Sequence, residues 1–431
     1  MLTVTQKIEH LKSLGFSGDM TEIEKFYAGQ SFNQNDQNVQ NLIQYSTNLW
    51  QEFSQVLKNL AKAADENEKS AWQARKEQLL ATAFPEHGIF GNFCDDFYCT
   101  VGAIDFNKEH ISGVNKNVKF GKYTLAELGN FSMIGEDVKF GVTLGQDVQP
   151  NKKVIIGNDT WICASTTIGA GATVADGTVL ALGACLHPNQ STEVNALAVG
   201  NPCATKMIID DNYQSKKDNL THRSEAEIKF IVQHIRNLGM DVDEAYLSAL
   251  KGEKYNCFSA RIAQITEFSH NLSYEYNLES TTPERRQEII DILFPIKGKN
   301  FKVGQGLFVD ILGLAKVGDN VEFGDNAFFA GNVNIGDNVR AGSNLVLAGI
   351  GHELPAAGRR LRDYQGVYGE VCEIGKIQIA SDVVIGEHCT LAPGSKLSKN
   401  LADHCYVVGD NKIFNKQQIS EHTIDDGGRT M

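Results

Sequence analysis

The sequence predicts a mainly β protein with two parallel β-helices, and three observations support this fold class. Two runs of apolar residues recur at six-residue intervals, and glycine or alanine follows most of these positions. Segments with helical spacing precede each run. A period of six fits neither an α-helix nor an ordinary strand. It is typical of hexapeptide β-helix repeats, in which each apolar residue points inward from one face of a three-sided coil of about 18 residues.

The positions in the two runs share an apolar side chain that the fold would place in the core. They are Ile156, Ile162, Ile168, Val174, Leu180 and Leu186, and then Val317, Phe323, Phe329, Ile335, Ala341 and Leu347. Stacked coils would bury these side chains in one continuous core for each run.

The helical segments divide the chain into repeated parts. We expect a helical cap over 1–87, a first β-helix over 88–209, a helical linker over 210–298, a second β-helix over 299–415 and a polar tail over 416–431. The stretch from Arg75 to Phe84-Pro85 aligns without gaps to that from Arg285 to Phe294-Pro295, which indicates an internal duplication. Each helical segment is expected to cap the base of the prism behind it, because an open end exposes unpaired backbone.

Composition excludes several classes of function. The formal net charge of −13 argues against nucleic-acid binding as the main task. No apolar run is long enough to span a membrane, and the first 30 residues lack the pattern of a signal peptide, so a cytoplasmic location is expected. The nine cysteines include no CxxC pair, and we expect those within repeats to be small buried residues.

The second run is interrupted by a polar loop over 350–378. Repeats tolerate insertions only as loops pushed out at a corner, and such loops tend to form the binding face. His352 lies at the start of this loop, and Glu373 lies near its return. A neutral imidazole could accept the proton of an attacking hydroxyl, with the carboxylate setting its tautomer. The alternative interpretation is a solvated loop histidine and a surface carboxylate.

At this point the second half resembles the maltose and galactoside O-acetyltransferases of the hexapeptide acyltransferase superfamily, over about residues 245–413. The matching elements, in chain order, are Leu250-Lys251-Gly252-Glu253-Lys254-Tyr255, Pro283-Glu284-Arg285-Arg286, His352 followed by Arg359 or Arg360, Glu373-Ile374-Gly375-Lys376-Ile377, Gly394-Ser395 and Ser398-Lys399. The resemblance implies a left-handed β-helix, acetyl-coenzyme A as acyl donor, a carbohydrate acceptor, a homotrimer and no metal.

The same resemblance assigns roles to individual residues. It implies His352 as general base and Glu373 as its partner. The expected substrate-binding residues are Arg359, Arg360, Arg362, Tyr364 and Asn332, and the expected coenzyme-binding residues are Gly394, Ser395, Ser398, Lys399 and Trp161.

The two halves depart from the family in different places. In the first half Asn158-Asp159-Thr160-Trp161-Ile162 and Leu197 to Pro202 match, but residues 142–155 contain no histidine. We therefore expect the first unit to be catalytically degenerate, or else to complete a site whose base comes from the second. In the second half, Val384 stands where the family has Trp, one coil before Gly394 is absent, and the ending Val408-Gly409-Asp410-Asn411 lacks proline.

These observations favour an O-acetyltransferase that acts on a sugar or polysaccharide hydroxyl. A hexapeptide carbonic anhydrase would need a tight pair of histidine ligands, which the spacing of His388 and His404 does not provide. A nucleotidyltransferase would need a Gly-rich amino-terminal loop, and residues 1–85 are helical and poor in glycine. The main alternative is a non-catalytic scaffold or regulatory protein that retains the hexapeptide fold.

Overall fold

The computed structural model describes residues 2–63, 65–85, 93, 97–106, 113–115, 117–143, 149, 151–210, 223–256, 259–352, 354–355, 360–362, 368–373 and 376–415. Within these ranges the chain forms two units that divide after Asp210. Each unit combines helices with three parallel sheets. The mainly β fold with parallel sheets is therefore confirmed.

Three of the helices described in the first unit begin at side chains that accept hydrogen bonds from backbone N–H groups, whereas the helix that follows Met20 has no such cap. Thr3 and Gln6 form a reciprocal capping box, and Asp36 and Asp65 each accept from two N–H groups. Such caps satisfy donors that have no partner within the helix. The helices are α1 (Val4–Ser13), α2 (Thr21–Tyr27), α3 (Gln37–Lys62) and α4 (Glu66–Ala83).

Short strands of the first unit follow one another around three faces. The first face contains β1 (Ile104–Phe106), β4 (Ala126–Leu128), β7 (Val154–Ile156) and β10 (Thr173–Val174). The second contains β2 (Gly113–Val114), β5 (Met133–Ile134), β8 (Trp161–Ile162), β11 (Val179–Leu180), β13 (Ala196–Val199) and the antiparallel β14 (Ala204–Ile208). The third contains β3 (Lys119–Phe120), β6 (Lys139–Val142), β9 (Thr167–Gly169) and β12 (Cys185–Leu186).

The second unit repeats this plan after four helices. These are α5 (Glu225–Asn237), α6 (Glu244–Lys251), α7 (Ala260–Tyr276) and α8 (Pro283–Leu293). The first face contains β16 (Ile296–Lys297), β19 (Ala315–Val317), β22 (Val333–Ile335), β28 (Ile377–Ile379) and β31 (Lys396–Leu397). The second contains β17 (Lys302–Val303), β20 (Glu322–Phe323), β23 (Arg340–Ala341) and β29 (Val384–Ile385). The third contains β18 (Phe308–Val309), β21 (Phe328–Gly331), β24 (Val346–Gly349), β30 (Thr390–Leu391), β32 (Cys405–Val408) and the antiparallel β33 (Lys412–Asn415).

The six-residue pattern identifies the inward positions correctly. All six apolar positions of the first run are buried, and so are those of the second run except Ala341, which packs against the core while partly exposed. The register also has the expected period, since Ile156 pairs with Val174, 18 positions further on. Cys185 and Cys389 are buried as the cysteine prediction requires, whereas Cys163 is only partly buried. Burial raises the pKa of Cys185 to about 11, which keeps its thiol protonated at neutral pH.

Both units join their helices to the first coils through equivalent contacts. The hydroxyl of Ser46 accepts the N–H of Val101 at 3.0 Å, and that of Ser269 accepts the N–H of Leu312 at 2.7 Å. Matching ion pairs join neighbouring helices; they are Arg75 with Glu52 and Arg285 with Glu275. The helical segments therefore hold their own β-helices in the same way.

Asparagines at left-handed corner positions stack in a directional column along the second β-helix. The amide of Asn300 donates to Asn320 at 2.9 Å, Asn320 donates to Asn338 at 3.0 Å, and Asn338 donates to the carboxylate of Asp382 at 2.9 Å. All four residues have φ between 56° and 62°. Asn and Asp tolerate this conformation better than other non-glycine residues.

None of the helices in the described parts of the chain is both long and apolar enough to cross a membrane.

Candidate functional site

The predicted loop leaves the second β-helix at the corner between its third and first faces. Here Ile335 pairs with Ile379 instead of with a residue 18 positions further on, so the insertion lies between β24 and β28. The first unit has a shorter insertion at the equivalent corner, between β6 and β7, where Leu128 pairs with Ile156. Both units therefore extend the chain at the same corner, and the second extends it further.

Two stacked glycines allow the chain to turn away from the wall at this point. Gly331 and Gly349 are paired on adjacent coils. Gly331 has φ +71°, and a Cβ on Gly349 would lie 2.7 Å from the carbonyl oxygen of Ala330 and 2.8 Å from that of Asn332. Because both atoms belong to the backbone, a larger residue would displace the wall. The first residues of the loop are thus fixed against the coil below.

The loop forms a small antiparallel sheet with a strand from the helical segment. Its strands are β25 (Gly351–His352), β26 (Arg360–Arg362) and β27 (Tyr368–Glu373), with β15 (Tyr255–Asn256) on the other side of β27. No sequence pattern predicts β15, because two residues are too few to have a period. The Gly252-x-x-Tyr255 element marks its place in the chain.

The backbone register places the two predicted catalytic residues on neighbouring strands, one position out of register with each other. His352 lies opposite Cys372, and Glu373 lies opposite the preceding residue, Gly351. The imidazole is partly buried. The side chain of Glu373 lies outside what the structure describes, so its contact with His352 stays a prediction.

Two of the predicted substrate-binding residues lie on the neighbouring strand β26. Arg360 is paired with Glu370, and Arg362 is paired with Tyr368. Their backbones therefore belong to the same small sheet as His352. Arg359 and Tyr364 lie outside the described residues.

Asn332 lies beneath the loop, at the corner of the wall. Its side chain is 4% exposed, and its Nδ2 donates to the carbonyl of Ala249 in α6 at 2.9 Å. Its backbone carbonyl accepts the N–H of Ile377 at 2.9 Å, which closes the loop. Its Oδ1 is buried and has no hydrogen-bond partner among the described residues. Asn332 thus offers one unused acceptor at the base of the loop.

The predicted coenzyme-binding segment meets the return of the loop. The N–H of Gly394 donates to the carbonyl of Lys376 at 3.0 Å. Gly394 has φ +79° and open space beside its α-carbon, and Lys399 is exposed. The structure therefore places this segment next to the residues that end the loop.

The two serines of that segment have local partners. The hydroxyl of Ser395 is fully buried and donates to the carbonyl of Val407 at 2.8 Å. The exposed Ser398 accepts the amide of Asn411 at 2.9 Å, and its N–H donates to Asn411 at 2.8 Å. Ser395 therefore holds adjacent coils together, whereas Ser398 lies at the surface.

Trp161 lies in the first unit, on β8. It is partly buried between Met133 and Val179 of the neighbouring strands. Within its own unit it belongs to the outer surface of the second face.

The corner of the first unit uses its shorter insertion differently. Asn151 is fully buried and donates to the carbonyl of Gln30 at 2.7 Å, while its Oδ1 has no partner among the described residues. Gln149 donates to the hydroxyl of Ser31 at 2.6 Å. The first insertion is therefore held against the connection between α2 and α3. These contacts span more than a hundred residues, so local sequence patterns could not reveal them.

No cluster of three or more His, Cys, Asp or Glu side chains suited to a metal ion occurs among the residues that the structure describes.

Comparison with known proteins finds partial matches. No family model matches the chain. The bifunctional protein GlmU of Streptococcus mutans is 30% identical over 116 residues, which are 26% of this chain and 24% of GlmU. The chain therefore matches about a quarter of that relative's length.

Solved structures of hexapeptide-repeat and sugar acetyltransferases resemble less than half of the chain. The acetyltransferase VCA0836 of Vibrio cholerae, complexed with acetyl-coenzyme A, is 21% identical with a TM-score of 0.36, over 44% of this chain and 99% of its own. A maltose O-acetyltransferase of Clostridium difficile is 22% identical with a TM-score of 0.35, over 45% and 100%. A galactoside acetyltransferase in complex with coenzyme A is 20% identical with a TM-score of 0.34, over 46% and 100%.

Proposed function

We propose that this protein transfers an acetyl group from acetyl-coenzyme A to a hydroxyl group of a sugar or polysaccharide. The position of His352 carries the proposal. It follows the glycine corner directly and lies on a strand paired with β27, and the loop that contains it ends beside Gly394. One corner of the second unit thus combines a candidate base with the segment that resembles a coenzyme-binding site.

The reaction requires one acyl transfer and two proton transfers, first to and then from the same imidazole. A ring nitrogen of His352 accepts the proton of the acceptor hydroxyl while its oxygen attacks the thioester carbonyl. Backbone N–H groups of the coils stabilise the negative charge on the tetrahedral intermediate. The C–S bond then breaks, and the thiolate of coenzyme A takes the proton from the imidazolium. Glu373 would accept the other ring N–H and fix the tautomer.

The remaining predicted residues would hold the two substrates. The unused Oδ1 of Asn332 is suited to accept a hydrogen bond from an acceptor hydroxyl at the base of the loop. Arg359, Arg360, Arg362 and Tyr364 would bind the acceptor or the phosphates of the coenzyme. Ser398 and Lys399 are available to the coenzyme at the surface, and Ser395 would support their segment through its bond to Val407.

The first unit is proposed to be a non-catalytic copy of the second. The matching contacts of Ser46 and Ser269 with the first coils support a tandem duplication. At the corner that carries His352 in the second unit, the first has a short insertion without histidine. Assembly as a homotrimer is a separate proposal, which light scattering on the purified protein would test.

The decisive experiment measures thiol release from acetyl-coenzyme A with maltose, a β-galactoside and polysaccharide fragments as acceptors. We expect release by the wild type and loss of at least 100-fold in His352→Ala, because a positioned general base contributes this much or more. His388→Asn is the matched control, since His388 is exposed in the same unit and asparagine occupies the positions stacked below it.

The outcomes separate the candidate functions. Equal rates in wild type and His352→Ala would remove His352 from the mechanism. Absence of both thiol release and coenzyme binding in the wild type would favour the non-catalytic scaffold.

A further inference from the structure

The connection between α6 and α7 passes out of the helical segment and reaches the loop that contains His352. It begins at Gly252, which ends α6 with φ 72°, and it ends at Ser259, which caps α7. Between them lies β15, which pairs with β27. A strand from the helical segment thus joins a sheet that otherwise belongs to the loop.

The register links the position of β15 to that of His352 through β27. Cys372 lies opposite Tyr255 on one edge of β27 and opposite His352 on the other edge. Any displacement of β15 along its own axis would therefore move β27 and with it the partner of His352. A shift of one residue would reverse the faces of the strand.

One carboxylate joins the start of α6 to Ser259, the residue at which the connection ends. Oδ1 of Asp243 accepts the N–H of Tyr246 at 3.0 Å, which caps α6, and Oδ2 accepts the hydroxyl of Ser259. The same Ser259 oxygen accepts the N–H groups of Arg261 and Ile262 at the start of α7. Tyr255 is 3% exposed. The strand is therefore fixed by the burial of Tyr255 and by the bond that holds Ser259 just after it.

In the first unit the equivalent connection, between α2 and α3, also contacts the inserted chain. The segment between α2 and α3 receives a hydrogen bond from Gln149 at Ser31 and another from Asn151 at Gln30. These donors lie on or beside the first insertion, at the corner equivalent to that of His352. Both units therefore hold the inserted chain with the second helix–helix connection, by side chains in one and by a strand in the other.

We infer that the α6–α7 connection is a positioning element for the general base, and that Ser259 and Asp243 are its positioning residues. They touch neither substrate nor reacting atoms. The inference rests on the proposed function, because His352 must be the base for its position to affect the rate.

The test compares two helix caps that differ in one respect. Ser259→Ala removes the cap of α7 and releases the connection from Asp243, whereas Ser224→Ala removes the cap of α5 and its bond to Glu227 but leaves the α6–α7 connection unchanged. Each loses a cap of similar strength. We expect kcat to fall on the order of tenfold or more in Ser259→Ala, with KM for acetyl-coenzyme A unchanged, because small displacements of a reacting group are costly. Ser259→Thr retains the hydroxyl and should restore kcat.

Equal kcat values for Ser259→Ala and Ser224→Ala, with an active wild type, would overturn the inference and leave the proposed function intact. An inactive wild type would instead contradict the proposed function. Amide hydrogen exchange in β25 and β27 tests the positioning without activity. Faster exchange in Ser259→Ala than in Ser224→Ala supports it, and equal exchange contradicts it.

Discussion

In each unit a buried asparagine joins the corner between the third and first faces to the helical segment, but the two asparagines occupy different places in the coil. Asn332 precedes β22 and donates to Ala249 at the end of α6, and Asn151 precedes β7 and donates to Gln30 just after α2. In the first unit the anchor is part of the insertion, whereas in the second it lies in the coil below. The second corner can therefore hold a longer loop above its anchor. The same type of contact therefore occurs in both units, and the units differ in the length of the insertion.

The ion pairs that join helix to first face have opposite polarity in the two units. Lys7 of α1 pairs with Asp105 of β1 at 3.0 Å, and Glu227 of α5 pairs with Lys316 of β19 at 2.6 Å. In the first pair both side chains are at most 6% exposed, but in the second Lys316 is 46% exposed. Burial lowers the pKa of Lys7, and the charge of Asp105 opposes this effect. The first unit thus depends on a buried pair, and the second on a solvated one.

The largest expected effect is the loss of the buried partner in the first unit. Lys7→Ala leaves Asp105 buried with only the more distant Lys153, 3.9 Å away. We expect the free energy of unfolding to fall by about 3 kcal/mol, because removal of one partner leaves the other charge buried without close compensation. Tryptophan fluorescence in urea measures it, since Trp50, Trp72 and Trp161 all lie in the first unit. A loss below about 1 kcal/mol would show that Lys153 replaces Lys7.

The next effect distinguishes the two anchoring asparagines. Asn332→Ala and Asn151→Ala should each lower the free energy of unfolding by about 1–2 kcal/mol, because each removes a buried hydrogen bond. Only Asn332→Ala should also lower kcat/KM for the acceptor, since only that corner carries the candidate base. Steady-state kinetics at varied acceptor concentration measure this difference. Equal kinetic effects from both variants would contradict a catalytic role confined to the second unit.

The smallest effect concerns the response of the second unit to acid. Burial of Glu227 favours its protonated form, but hydrogen bonds from Lys316 and Ser224 outweigh this and lower the pKa to about 2. Because the folded pKa lies below the usual value of 4.5, the stabilisation is complete above that value and disappears as the pH falls towards 2.

We therefore expect Glu227→Gln to destabilise the protein at pH 7 by about 0.5–1 kcal/mol, and by less at pH 3, since the pair is partly solvated. Thermal unfolding followed by circular dichroism at both values measures this. Glu279→Gln, at an exposed position of the same unit, is the control. The same deficit at pH 3 and pH 7 would assign the effect to the helix cap instead of the ion pair.

Local periodicity predicted the wall of each prism well, because every coil repeats the same inward positions. Ile168 and Leu347 are buried where the pattern placed them. The chain order of the loop also indicated that the strands of His352 and Glu373 would be neighbours, since both ends of an insertion return to one corner. These features follow from short spacings.

Contacts between distant parts of the chain were not predictable in the same way. The pairing of β15 with β27 and the bond from Asn151 to Gln30 leave no periodic signal. Ser395 resembled a coenzyme ligand by its place in a motif, but its hydroxyl is turned to Val407 by the stacking of coils. A motif gives the position of a residue along the chain, whereas packing determines which way its side chain faces.

The asparagine column of the second β-helix also limits which insertions and deletions the β-helix can accept. Every amide from Asn300 to Asn338 donates in the same direction, and the carboxylate of Asp382 ends the series. Removal or addition of one complete coil would rejoin the column without leaving a donor or acceptor unmatched. Gain or loss of a few residues within a face would break it. Whole coils can therefore be gained or lost in evolution, so that the height of the prism varies while the corner that carries the proposed base is preserved.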